Sequence, residues 1–172
     1  MSAGRKNNAN KKDWNTPPKY IVPITEFFNG IELDPCSNKY SLVKSKYNFI
    51  LPETNGLSQD WNYKTVFVNP PYGRDNGLSI FNWLEKGLGS YKKFNSELIF
   101  LIPVATNTKH FKELIFKQYT SICFLSDTRL KFYNGGKEDK KGAPMACCLV
   151  YLGNRKDDFM IKFSEFGKVF HI

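Results

Sequence analysis

The sequence lacks the means to build a metal centre or a disulfide framework. Its four cysteines, Cys36, Cys123, Cys147 and Cys148, form no C-x-x-C pair, and its two histidines, His110 and His171, stand far apart. Zinc-ribbon and disulfide-scaffold patterns are therefore absent, and no metal is expected. Cys123, Cys147 and Cys148 lie in apolar runs, where a cysteine usually serves as a small buried hydrophobe. Long hydrophobic segments are also missing. The most apolar stretch, Leu98 to Val104, is interrupted by Pro103 and falls well short of the roughly 18 residues a membrane span requires. No apolar h-region follows Met1-Ser2-Ala3-Gly4-Arg5, so the start does not read as a secretory signal. A cytoplasmic protein with no membrane association is expected. Acidic charge is in deficit: 25 Lys and Arg against 16 Asp and Glu leave a formal net charge of +9. Such an excess favours polyanionic partners, of which nucleic acid is the commonest.

What is present is enough for one core. At 172 residues, 41% hydrophobic and 16% aromatic, the chain can pack as one domain and is too short for a catalytic domain plus a full-sized second one. Residues 1–13 carry Arg5, Lys6, Lys11 and Lys12 with no large apolar residue after Met1, and are expected to be a flexible basic arm. Residues 14–172 are expected to form a single domain.

Pro17-Pro18 followed by Tyr20, Ile21, Ile24, Phe27 and Phe28 predicts a short helix ending at Asn29-Gly30, kinked or divided by Pro23. Ile31 to Asp34 reads as a strand running into Pro35-Cys36-Ser37, and Tyr47 to Leu51 as a second. Thr65 to Val68 is a β-branched strand stopped by Pro70 and Pro71. Helical spacing recurs over residues 78–94 and 108–119, with strand candidates at Leu98 to Ile102 and Ser121 to Leu125. This alternation predicts an α/β fold with a mostly parallel sheet. Arg129 to Tyr133 and Ala146 to Leu152, separated by a polar Gly-rich loop, predict an antiparallel C-terminal hairpin. Residues 159–172 predict an edge strand or a short helix. Ligands of such sheets bind at the carboxyl ends of the strands, where Asp34 and Asn69 both fall.

Asn69-Pro70-Pro71-Tyr72 carries the chemistry. An exocyclic amino group on a base is a poor nucleophile because its lone pair is delocalised into the ring. The Asn69 side-chain oxygen and the Pro70 carbonyl can each accept an N–H from one such nitrogen, turning its lone pair toward a methyl donor. The prolines, Pro71 included, stiffen the loop, and Tyr72 can stack on an extruded base. No general base is required, since the proton is acidic once the nitrogen is methylated. A proline turn with Tyr72 as a core residue would account for part of this motif; all four residues after a buried strand favour the chemical reading.

Taken in order, Trp14-x-Thr16-Pro17, Leu33-Asp34-Pro35-Cys36-Ser37, Gly56-Leu57-x-x-Asp60-Trp61 and Val68-Asn69-Pro70-Pro71-Tyr72 resemble the phage-type DNA N-6-adenine methyltransferase family, the small Dam-like enzymes. Leu101-Ile102-Pro103 and Arg129-Leu130-x-Phe132 extend the resemblance to about Leu152. It implies a Rossmann-like fold that uses S-adenosylmethionine and acts on a flipped adenine in double-stranded DNA, in a phage or prophage setting inside a bacterial host. It also implies cofactor contacts from the Asp34 loop (Asp34, Pro35, Cys36), from Thr16-Pro17 at the methionine end and from Asp60 at the adenosine, with Trp14 or Trp61 as an aromatic wall. The sequence departs from many methyltransferases in having no Gly-rich turn after Asp34. Only about 30 residues separate Asp34 from Val66, too few for two full βα crossovers, so the sheet must be trimmed there. Arg74, Arg129, Lys131, Lys137, Lys140 and Lys141 are the candidate phosphate contacts. The same tetrapeptide also suits an RNA amine or a protein glutamine, and a silent nucleic-acid-binding protein could retain the fold. The pattern specifies neither a target sequence nor an oligomeric state.

Overall fold

The computed structural model describes residues 14–73 and 78–172. Its elements follow in the order α1 (Pro18–Phe28), β1 (Ile31–Ser37), β2 (Ser45–Ile50), a 3-10 turn at Gly56–Ser58, β3 (Thr65–Val68), α2 (Ile80–Phe94) and β4 (Glu97–Pro103). A π-helical turn at Phe111–Ile115 then leads into α3 (Phe116–Gln118), β5 (Ser121–Leu125), β6 (Tyr133–Asn134), β7 (Lys137–Glu138), β8 (Cys147–Leu152), α4 (Lys156–Phe163) and β9 (Gly167–His171).

The main sheet has seven strands in the order β2-β1-β3-β4-β8-β5-β9. Strands β1 to β5 run the same way, while β8 and β9 oppose them. A mostly parallel α/β sheet of this kind, with a separate antiparallel hairpin β6-β7, is the expected fold class. Alternation along the central strands divides the core into two layers. Phe67, Ile99, Leu101, Leu149 and Tyr151 pack with α1 and α4. Val66, Val68, Leu98, Phe100, Ile102 and Val150 pack with α2 and the π-helical turn.

Several elements differ from the sequence pattern for identifiable reasons. Arg129 to Tyr133 does not pair with Ala146 to Leu152. Only Tyr133 and Asn134 of that region enter a hairpin, and its partner is Lys137–Glu138. Strand β8 inserts between β4 and β5, where every one of its residues is buried. An apolar strand of that composition is more stable between two others than in an exposed ribbon. Pro23 does not divide α1; the carbonyl its missing N–H would have met belongs to exposed Lys19, where water can satisfy it. Strand β1 continues through Pro35 to Ser37, with a register shift between Asp34 and Ser37. Helix α2 starts on a Ser79/Asn82 capping box and ends on left-handed Asn95. The C-terminal stretch supplies both a helix and an edge strand, α4 and β9.

The trimming is visible between β1 and β2. These strands are parallel, yet residues 38–44 join them without a helix. The connection turns at residues 39–40, closed by the Ser41 N–H on the Asn38 carbonyl at 2.9 Å, and then runs irregularly into β2. The site is thus left without a covering helix on that flank.

Candidate active site

Because β1 and β3 are parallel neighbours, with Leu33 opposite Val66, the residues that follow them emerge on one edge of the sheet. Asp34 is the middle residue of β1, where the register of that strand begins to shift, and Asn69 directly follows β3. Cys36 bridges the two. Its backbone N–H donates to Asp34 Oδ1 at 3.2 Å, and its thiol donates to the Asn69 carbonyl at 3.1 Å. Ser41 Oγ donates to Asp34 Oδ2 at 3.4 Å. Asp34 is only 5% exposed, and no Lys, Arg or His forms an ion pair with it among the described residues. Burial pushes its carboxyl up to about 6, against the pull of the hydrogen bonds from Cys36, Ser37 and Ser41.

The Trp14 to Pro17 segment closes the other side. Asn69 Nδ2 donates to the Trp14 carbonyl at 2.8 Å, and Asn69 Oδ1 accepts nothing from the described residues. The amide is thereby oriented with its oxygen available. Asn15 is fixed by reciprocal backbone bonds with Tyr133, at 2.8 and 2.9 Å, and by Asn38 Nδ2 donating to its Oδ1 at 2.8 Å. Thr16 is buried, and its hydroxyl has no hydrogen-bond partner among the described residues. Pro17 is buried at the start of α1, its carbonyl accepting from Tyr20 and Ile21. Trp14 stacks on Phe132, centroids 5.2 Å apart and planes 10° apart, and meets Tyr72 edge-on at 6.0 Å. The hydroxyl of half-buried Tyr72 donates to the Leu101 carbonyl at 3.2 Å, and burial raises it well above its ordinary range, so it remains a neutral phenol. Pro70 is buried and Pro71 exposed.

Pro35 is buried against Gly56. A Cβ on Gly56 would fall 1.8 Å from the Pro35 carbonyl oxygen, so only glycine allows this approach. That contact joins the Gly56-Leu57 turn to the Asp34 loop. The rest of that motif runs from this turn toward α2. Asp60 is largely exposed and pairs with Lys93 at 3.0 Å and Lys86 at 4.0 Å on α2. Trp61 is fully buried, its indole N–H donating to the Gly56 carbonyl at 2.8 Å and its ring stacking on Trp83.

Of the candidate phosphate contacts, Arg129, Lys131, Lys137, Lys140 and Lys141 are exposed on and around the β6-β7 hairpin, while Leu130 and Phe132 between them point inward. Lys131 pairs with Glu138 at 3.3 Å. The hairpin hangs on Asn15 and Phe132 supports Trp14, so this basic edge adjoins the Asn69 loop. Arg74 and the basic arm lie outside the described residues. Sequence reasoning did not single out Asn15, Asn38, Ser41 or Phe132 individually. Their only local signal is a polar or aromatic residue inside or beside a motif already chosen for its neighbours. Among the described residues no cluster of His, Cys, Asp and Glu suits a metal, and no helix is long and apolar enough to cross a membrane.

A trimmed parallel sheet that gathers a buried carboxylate and an Asn-Pro-Pro-Tyr loop on one edge defines the class as a Rossmann-like methyltransferase fold. Comparison with known sequences narrows this. The DNA N-6-adenine-methyltransferase (Dam) family matches residues 4–166, and the chain belongs to that family. It is similar to the DNA N-6-adenine-methyltransferase of Haemophilus phage HP1, 27% identical over 151 residues that cover 84% of this chain and 83% of the phage protein.

Proposed function

We propose that the protein is an S-adenosylmethionine-dependent methyltransferase acting on the N6 amino group of adenine in double-stranded DNA. The observation that carries this reading is the state of Asn69: its Nδ2 is committed to Trp14, leaving Oδ1 to accept from a target amine. Two features suit the cofactor. Asp34 is a buried carboxylate with no cationic partner among the described residues, a costly arrangement that a positively charged or hydroxyl-rich ligand relieves. The orphaned Thr16 hydroxyl provides a second unmet polar group nearby in the same Trp14 to Pro17 segment. Asp34, Pro35, the backbone of Cys36, Thr16 and Pro17 would hold the cofactor, which supplies an electrophilic methyl group when bound. Asp60 and Trp61, joined to this loop through the Gly56 turn, would complete the set at the adenosine end.

The chain's own residues then act on the nucleotide. Asn69 Oδ1 and the Pro70 carbonyl accept the two amino hydrogens, concentrating the nitrogen lone pair along one direction. The buried Pro70 and the adjoining Pro71 hold that geometry with little conformational freedom. An adenine reaches these groups only when flipped from the duplex, and the Tyr72 ring provides a face for it. Arg129, Lys137, Lys140 and Lys141 set affinity through phosphates, with Lys131 reduced by its pairing to Glu138. Residues 14–172 would act as one catalytic unit, with residues 1–13 and Arg74 adding positive charge, in a phage or prophage setting inside a bacterial cell.

The test is transfer of labelled methyl from S-adenosylmethionine to unmethylated duplex DNA, with RNA in parallel, followed by nucleoside analysis. N6-methyladenine in DNA is the expected product. Methylated RNA alone, or no transfer despite cofactor binding, would overturn the substrate assignment.

A further inference from the structure

The Asn69 loop has an unusual shortage of backbone donors. Pro70 and Pro71 carry no N–H, so past Asn69 the chain cannot be pinned by the ladder bonds that hold an ordinary strand end. Its orientation depends on what donates to its carbonyls. The Asn69 carbonyl receives the Cys36 thiol at 3.1 Å, while the side chain of the same residue is held separately by Trp14. The peptide joining Asn69 to Pro70 is planar, the Pro70 ring fixes its φ and the following Pro71 restricts its ψ, so fixing one carbonyl constrains where the next one points. Cys36 also donates its backbone N–H to Asp34. One residue therefore touches both the carboxylate assigned to the cofactor and the loop assigned to the target base.

From this arrangement we infer that Cys36 is a positioning residue for methyl transfer, whose thiol aims the Asn69-Pro70 peptide so that the Pro70 carbonyl meets the target amine. The inference rests on the methyltransferase reading above and assigns Cys36 a role distinct from cofactor contact. The thiol is a protonated donor at neutral pH, and desolvation holds it well above its ordinary range.

The experiment compares Cys36→Ala, Cys36→Ser and the wild type in single-turnover methylation of duplex DNA at saturating S-adenosylmethionine, with cofactor affinity by calorimetry. Alanine removes the donor, and the rate should fall by about tenfold to a hundredfold, the scale set by small misplacements of reacting groups. Cofactor affinity should stay within about twofold of wild type, because the Cys36 backbone N–H remains. Serine, whose hydroxyl still reaches a carbonyl now 3.1 Å from sulfur, should regain most of the rate. Should the alanine chain fail to fold, Cys36→Val removes the donor while keeping the thiol's space filled, and the same slow transfer is expected. An unchanged rate in the donorless variants, a loss that follows weakened cofactor binding, or a serine variant as slow as alanine would overturn the role. A wild-type protein that methylates no DNA would instead overturn the underlying function.

Discussion

The Asn69 side chain donates its Nδ2 hydrogen to the Trp14 carbonyl at 2.8 Å, across 55 positions of sequence. This bond decides which end of the amide faces outward. Asn69→Ala removes the outward acceptor and leaves the Trp14 carbonyl without its donor. Methyl transfer should fall by roughly 100-fold to 1,000-fold, while stability changes by only about 1 kcal/mol. Cofactor titration alongside the transfer assay checks the separation: equal loss of cofactor binding would contradict the division of roles between Asn69 and Asp34.

Asp34 sets a pH dependence of a definite sign. Burial raises its carboxyl from 3.8 to about 6, so between those values the folded state binds a proton that the unfolded state has already released. Stability should therefore fall as pH rises from about 4 to 6 and level off above, by on the order of 3 kcal/mol from this group. Asp34→Asn keeps an acceptor for the Cys36 N–H and removes the buried charge. It should flatten this slope and raise the thermal midpoint at neutral pH, while cofactor binding weakens. Thermal unfolding of both proteins at about pH 4.5 and 7, on either side of the folded-state value, measures the effect; an Asp34→Asn chain less stable than wild type at neutral pH would refute it.

In the ligand-bound protein the same carboxyl should behave oppositely. A cationic ligand favours the ionised form, so affinity for S-adenosylmethionine should strengthen as pH rises through about 6, with a proton released on binding. Calorimetry in buffers of different ionisation heat detects that proton. Affinity independent of pH between about 5 and 7 would separate Asp34 from the cofactor.

Gly56 is a contact point between two motifs. An added Cβ would lie 1.8 Å from the Pro35 carbonyl oxygen and 2.9 Å from its carbon, backbone atoms that cannot swing aside. Gly56→Ala should cost about 1–3 kcal/mol or more in denaturant unfolding. It should also weaken cofactor binding, because relief of the clash displaces the Asp34 loop. A folded variant with unaltered cofactor affinity would show that the loop tolerates the shift.

The hairpin lysines should act through charge alone. Replacing Lys137, Lys140 and Lys141 by alanine should weaken duplex binding about equally on all sequences. Every lysine that neutralises a phosphate adds about 0.9 to the steepness with which log affinity falls against log salt, so the triple variant should give a shallower slope. Binding isotherms at several salt concentrations report this directly, and an unchanged slope would place the DNA elsewhere.

Local pattern alone determined the α/β class, the strand that carries Asp34 and the strand end that carries Asn69. Alternation, helical spacing and prolines act over a few residues, so Thr65–Val68 and Ser121–Leu125 were legible from the chain itself. Tertiary structure decided the rest. The burial of all of β8 between β4 and β5, rather than its pairing with Arg129 to Tyr133, follows from competition among distant strands for apolar cover. Asp60 and Trp61 stand in one short motif with Gly56, and only packing pairs Asp60 with Lys93 of α2 and stacks Trp61 on Trp83 while Gly56 touches the Asp34 loop. The raised carboxyl of Asp34 depends on burial by neighbours contributed from elsewhere in the chain, and the outward turn of the Asn69 amide depends on Trp14. Neither is encoded by adjacent residues, because desolvation and long-range hydrogen bonds exist only once the chain has closed around them.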